Sequence, residues 1–205
     1  MDGRATAPSD VRAGLIEAAA RLIAVEGATA LTLRRVAEEV GTSTMAIYTH
    51  FGGMPELRRA VRHEGFARLA AELRGVPETD DPVADLTLLG RAYYLNAVRD
   101  PDIYRVAFME QPLDAADAEV GSDAFGRLVD GFERCVAAGR FDAADPSALA
   151  TEFWALGHGV IALQLARLIA PEAALDCLDR ALLKLYRANG DSAARARRSL
   201  ERARG

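Results

Sequence analysis

Residues 32–51 read TLRRVAEEVGTSTMAIYTHF, and the spacing within them decides the fold. Leu33, Val36, Ala37 and Val40 fall at i, i+3, i+4 and i+7, the buried face of one short helix. Thr32 stands where an N-cap hydroxyl takes up a free backbone N–H. Gly41 can adopt the positive φ that ends a helix and turns the chain. Ser43 is placed to cap a second helix, with Ala46 and Ile47 inward and Thr44, Met45, Tyr48 and Thr49 outward. Helix, tight glycine turn and helix is the plan in which the second helix enters a DNA major groove.

Outward from this stretch the chain reads as helical throughout. Val11–Val25 carries one apolar stripe (Leu15, Ala18, Ala19, Leu22, Ile23), with Ser9 or Asp10 as its cap and Gly27 as its stop. A long helix is expected from Met54 to about Arg74, and the polar stretch 75–80 is the best internal boundary. Further helices are expected from Pro82 to about Arg99, from Pro101 to about Met109 and from Ser122 to Ala138. Gln111-Pro112 breaks the run, and 113–121 reads as a loop or short turn. Asp145-Pro146 opens a helix to about Ile169, and Pro171 opens another that stops at Asn189-Gly190. No strand pattern and no repeat is present. Residues 1–9 read as a mobile arm, and the basic tail 190–205 as a solvated helix or a disordered segment.

Composition narrows the function classes. The 205 residues are 50% hydrophobic, enough for a real core, and no run of about 18 apolar residues suggests a membrane span. The first ten residues lack the plan of a signal peptide. Cys135 and Cys177 form neither a disulfide framework nor a CxxC motif, which favours reduced core cysteines and a cytoplasmic protein. Net charge is −5, but it is unevenly distributed. Residues 1–74 carry 10 Arg against 9 acids, 75–186 carry 9 bases against 19 acids, and the tail from Arg187 carries 6 Arg against 2 acids. The proposed reader is near neutral, so its affinity would rest on oriented donors more than on bulk charge.

The closing Ile47-Tyr48-Thr49-His50-Phe51 sharpens the reading. With Thr32, Val36-Ala37, Gly41, Ser43, Ile47-Tyr48 and His50-Phe51 in register, the chain resembles the TetR family of bacterial transcriptional regulators. The resemblance implies an all-α fold of about nine helices. A three-helix helix-turn-helix head (10–53) would be joined by a connecting helix (54–74) to a ligand-binding and dimerisation domain (75–189). It also implies a double-stranded DNA operator, a homodimer through helices 146–169 and 171–189, and no metal or cofactor. In that pattern Arg34, with its neighbour Arg35, meets bases or backbone, although a solvated surface arginine is the alternative. Thr44, Met45, Ala46 and Thr49 fall toward the groove, and Thr32, Ser43, Tyr48 and His50 form the phosphate set. The family's usual lysine at the start of the fourth helix is absent. Met54 stands there, leaving Arg58 as the nearby substitute.

The segment Phe153-Trp154-Ala155-Leu156-Gly157-His158-Gly159 resembles the Trp-His-Gly signature of a ligand-binding subset of that family. His158 reads either as the polar handle of an apolar pocket or as a hydrogen-bonded core histidine. Phe66, Tyr93, Tyr94, Tyr104, Phe108, Phe125, Phe132 and Trp154 are the further candidates for such a pocket, which would suit an apolar or aromatic effector. A ligand-released repressor follows from the resemblance. The alternative is a helical interaction protein that has lost DNA binding. An enzyme is disfavoured, because His50, His63 and His158 stand beside no plausible nucleophile and no HExxH or phosphate-loop pattern occurs.

Overall fold

The computed structural model describes residues 8–109, 115–142 and 145–204. Among them are ten α-helices, one short 3-10 turn (Ala28–Ala30) and no strand. The helices are α1 (Pro8–Glu26), α2 (Leu33–Val40), α3 (Thr44–Phe51), α4 (Met54–Arg74), α5 (Pro82–Arg99), α6 (Pro101–Phe108), α7 (Ala115–Ala137), α8 (Pro146–Leu165), α9 (Pro171–Ala188) and α10 (Ala193–Arg202). None of the described helices is long and apolar enough to cross a membrane. No described group of three His, Cys, Asp or Glu side chains is placed to hold a metal ion. Cys135 and Cys177 are both free, and burial pushes the Cys135 thiol up to about 12.

The described residues form two compact units. The first runs to Arg68 and resumes over Asp100–Gly121, and the second comprises Leu69–Arg99 and Ser122 onward. In the first unit, Leu15, Leu22 and Ile23 of α1 share one cluster with Val36 and Ala37 of α2, Ile47 of α3, and Leu57 and Val61 of α4. Ile103 and Val106 of α6 join that cluster, so α6 packs on α1 although some 75 residues separate them. At about 25 cal/mol per Å², each fully buried Leu or Ile here contributes about 2 kcal/mol.

In the second unit, α5, α8 and α9 pack on one another around Leu86, Leu89, Ile161, Leu178 and Leu182. An aromatic chain runs through it: Phe153 meets Phe132 edge-on at 5.8 Å, Phe132 meets Phe141 at 5.9 Å, and Phe141 stacks on Tyr186 at 5.6 Å. The Thr87 hydroxyl donates to the Val83 carbonyl at 2.8 Å, which leaves its oxygen for the buried Tyr186 hydroxyl at 3.2 Å.

Four boundaries differ from the sequence expectation. α1 begins at Pro8, so Ser9 and Asp10 lie inside the helix and do not cap it; most of the expected arm, residues 1–7, lies outside the described residues. α7 begins at Ala115, so 115–121 is helix where a loop was expected; residues 110–114 lie outside the described residues. Gly121, the last residue of the expected loop, sits in α7 with room toward the Phe66 ring. α8 ends at Leu165, because Arg167 takes a φ of 58° and the Leu168 N–H returns to the Leu163 carbonyl at 2.9 Å. A non-glycine residue in that conformation carries no sequence signal.

The tail makes the fourth difference. Residues 193–202 form α10, which packs on α5 and α9 and buries Ala196, Ser199 and Leu200. Its charges are fastened inward. The Arg140 guanidinium donates to Asp191 at 2.6 Å, to Asp81 at 2.8 Å and to Ser199 at 2.9 Å, and Arg204 donates to the buried Asp179 at 2.7 Å. Asp191 is fully buried and Arg140 nearly so. Asp191→Ala is therefore expected to lower unfolding free energy by about 3 kcal/mol, since a buried guanidinium loses its main counter-charge. The midpoint of urea denaturation measures this; an unchanged midpoint would mean that the cluster adds nothing to stability.

Candidate functional site

The reading face is built by two short helices that would be marginal alone. Thr32 caps α2, its hydroxyl accepting from the Arg35 N–H at 3.3 Å. Gly41 ends α2 with a φ of 68°, and its N–H closes back on the Glu38 carbonyl at 3.1 Å. The turn delivers Ser43 in extended conformation at the start of α3. Its hydroxyl makes no capping bond, contrary to the expected cap, and it is exposed. The start of α3 thus carries an exposed hydroxyl and no side-chain cap, an arrangement suited to phosphate.

Ile47 is the only fully buried side chain of α3. Met45 and Tyr48 are 68% and 50% exposed, so the outward face is real, while Ala46 is half-buried. Thr44 is exposed, and the Thr49 hydroxyl donates to the Met45 carbonyl at 3.0 Å, which leaves its oxygen as an acceptor and its methyl for apolar contact. His50 is half-buried against Phe51 and lines a cleft of about 470 Å³ with Arg12, Arg59 and His63.

The two candidate arginines separate. Arg34 is 84% exposed and, among the described residues, pairs with Glu38 one turn on at 2.7 Å, a contact that a phosphate can displace. Arg35 instead forms a two-pronged pair with Glu26 of α1, both bonds 2.5 Å. It fastens α2 to α1 and is a poor candidate for reading bases. The sequence showed both charges but not that Glu26 would face Arg35. Arg12 was also missed; it lies over the Phe51 ring at 5.1 Å. Met54 packs against the head's core, and Arg58 is half-buried.

The aromatic candidates divide between the units. Phe66, Tyr104 and Phe108 belong to the first, where Phe108 meets Phe66 edge-on at 5.2 Å and Tyr104 at 5.0 Å. Tyr93, Tyr94, Phe125, Phe132, Trp154 and His158 belong to the second. Phe132 is fully buried in the aromatic core and is packing. Tyr94 donates to Gln164, a partner with no sequence signal. Tyr93 joins Trp154 to His158: the indole N–H donates to the Tyr93 hydroxyl at 3.0 Å, and that hydroxyl lies 2.9 Å from His158 Nδ1. An indole N–H can only donate, so the Tyr93 proton is available to Nδ1 of a neutral imidazole. Phe125 leans on the same indole at 6.1 Å. Burial holds the His158 pKa below its ordinary value, in keeping with that neutral ring.

Helix-turn-helix geometry on an all-helical chain defines the class: a DNA-binding regulator. The comparisons place it within that class. The family model for bacterial regulatory proteins of the tetR family matches residues 15–61, and that for the tetracyclin repressor-like C-terminal domain matches 86–185. The chain is 29% identical over 157 residues to the uncharacterised HTH-type transcriptional regulator Rv0681 of Mycobacterium tuberculosis, covering 75% of this chain and 70% of that protein. A bacterial regulatory protein of the tetR family from Rhodococcus RHA1 superposes with a TM-score of 0.75 at 22% identity, over 89% of this chain and 98% of that one. RolR in complex with resorcinol superposes with a TM-score of 0.65 at 22% identity, over 97% of each chain. The chain belongs to the TetR family and is a DNA-binding transcriptional regulator.

The lowered pKa of His158 has a consequence for stability. Below about 6.5 the unfolded chain takes up a proton that the folded chain resists, so this contribution is complete at neutral pH and is lost as pH falls through the lowered folded value. The expected result is a smaller drop in melting temperature between pH 7.5 and 5.5 for His158→Asn than for the wild type. Equal drops would show that the ring titrates alike in both states.

Proposed function

We propose that the chain is a homodimeric repressor that leaves its operator when an apolar or aromatic small molecule binds its second unit, and that it works in the cytoplasm. The observation that carries the DNA half is the outward face of α3, on which Thr44, Met45, Tyr48 and Thr49 surround a single buried Ile47. Thr methyls, Met45 and Ala46 suit thymine methyl groups, while hydroxyls and Arg34 suit phosphates. The effector half is supported by the Trp154–Tyr93–His158 cluster, which lies in the segment that resembles the Trp-His-Gly subset noted above. RolR, which binds the aromatic diol resorcinol, supports the ligand class. For the dimer, support comes from an open groove of about 740 Å³ on α8 and α9, lined by apolar Ala155, Leu156 and Ala181 and by charged Glu152, Arg180 and Lys184. A twofold copy would set apolar against apolar and acid against base. Leu163, 42% exposed, and Leu168, 70% exposed, are also left for a partner.

The test of the DNA half is fluorescence anisotropy against the DNA flanking the protein's own gene, at two salt concentrations and with a scrambled duplex as control. Preference for the native DNA is expected, and Tyr48→Phe should weaken it about tenfold by removing one hydroxyl–phosphate bond. Absence of binding to either duplex at low salt would favour a helical interaction protein that has lost DNA binding.

Sedimentation tests the dimer. Ala155→Glu is expected to convert a wild-type dimer to monomer while leaving helix content unchanged. A dimer that survives this change would place the interface elsewhere.

A further inference from the structure

We propose that Asp117 is the positioning residue through which α7 holds α4, and with it the reading helix α3; breaking its pairs with Arg62 and His63 lowers DNA affinity. The inference rests on the reading of α3 as the DNA-contacting helix and extends it to how that helix is held.

α4 begins two residues after α3 ends, across Gly52-Gly53, so the seat of α4 sets where α3 is presented. Three side chains of α4, spaced i, i+3 and i+4, converge on one carboxylate. Arg62 donates to Asp117 Oδ2, His63 Nε2 lies 3.0 Å from Oδ1, and Arg59 stands 3.9 Å from Oδ1. Asp117 is 2% exposed at the side chain and Arg62 11%. Among the described residues Asp117 is the one carboxylate within reach of Arg62, whose buried Nε finds no hydrogen-bond partner. A buried guanidinium with one counter-charge is held tightly to that charge.

The rest of the seat is close-packed and apolar. A Cβ added at Gly65 of α4 would lie 2.9 Å from the Ala107 Cβ and 3.1 Å from Ile103, so α4 sits directly on α6. The Phe66 ring faces Gly121 of α7. Such contacts hold α4 close to its neighbours through shape, and the carboxylate adds a directional hold. The carboxylate fixes the axial register, because it is itself fixed in the first turn of α7, where the helix dipole favours a negative charge. α7 continues past Gly121 into the residues of the second unit, which also supply Phe125 to the Trp154 cluster. One helix therefore carries both the latch and a wall of the proposed effector site.

The experiment compares Asp117→Ala, Asp117→Asn and Asp117→Glu with Leu182→Ala, a control that destabilises the second unit. Hydrogen exchange is measured first. With Asp117→Ala or Asp117→Asn, amides of residues 44–62 should exchange at least tenfold faster than in the wild type, while Leu182→Ala leaves them unchanged at matched stability. The asparagine keeps the shape of the side chain and serves where alanine prevents folding. Operator affinity is measured second on the same proteins. A loss of about tenfold or more for Asp117→Asn, partial recovery for Asp117→Glu and no loss for the control support the proposal. Wild-type exchange at 44–62 in the Asp117 variants overturns it, as does an affinity loss equal to that of the control. If wild-type protein shows no preference for its flanking DNA, the DNA reading fails, and the exchange data still decide whether Asp117 holds α4.

Discussion

Burial of Ile47 is the constraint on which the DNA-reading unit depends. α3 is eight residues long, too short to persist by its own hydrogen bonds, and has one fully buried side chain. Ile47 shares a cluster with Val36, Leu57 and Val61, all wholly removed from water. Once that residue is inside, the helical period fixes the others. Met45 and Thr49 lie about 200° round the helix from it, and Tyr48 about 100°. No separate feature is needed to expose them. Gly41 contributes by setting the angle at which α3 leaves α2, and Thr32 by keeping the start of α2 satisfied.

Charge in this protein serves mainly to fasten one helix to another. Arg35 joins α2 to α1 through Glu26, and Arg140 joins the segment after α7 to Asp81 and Asp191. Arg195, Arg202 and Arg204, which in the sequence look like part of a basic arm, meet Asp191, the acidic stretch around Asp81, and Asp179. What remains on the reading face is Arg34, the hydroxyls of Ser43, Thr44 and Tyr48, and the free N–H groups at the start of α3. Directed donors of this kind position a protein on the backbone without a large basic field, consistent with a near-neutral head.

The sequence made the helical class and the reader plain because both rest on local rules: apolar period, Pro starts and Gly stops. It misled where a non-local contact overrode them. Residues 113–121 read as a loop or short turn because nothing nearby shows that Phe66 packs against Gly121. Arg167 ends α8 in a conformation that only the surrounding packing selects. The tail read as solvated because the acids that neutralise it are as much as 120 positions earlier in the chain. At the site, exposure of the α3 face was legible from period alone, whereas the split between Arg34 and Arg35 depended on where Glu26 falls. The same holds for His158, whose hydrogen-bond partner Tyr93 lies 65 residues away in the chain.

The buried ion pair between α4 and α7 fits a regulator better than an apolar contact would. A well-packed apolar pair of the same volume would be about as stable. An apolar contact holds through shape alone, whereas hydrogen-bonded ions add a dependence on direction. A carboxylate gripped by the guanidinium and the imidazole of two adjacent residues, Arg62 and His63, with Arg59 one turn earlier, also demands direction. Moving α4 by a fraction of a turn breaks those bonds together and leaves Arg62 charged and buried. Displaced positions are therefore costly, which favours discrete seats over a continuous slide. Discreteness matters because an effector can shift only an equilibrium between states that it binds differently. Two DNA-reading heads that must match successive grooves need their connecting helices either in register or clearly out of it. Asp117 supplies that sharpness from within the same unit as the reader.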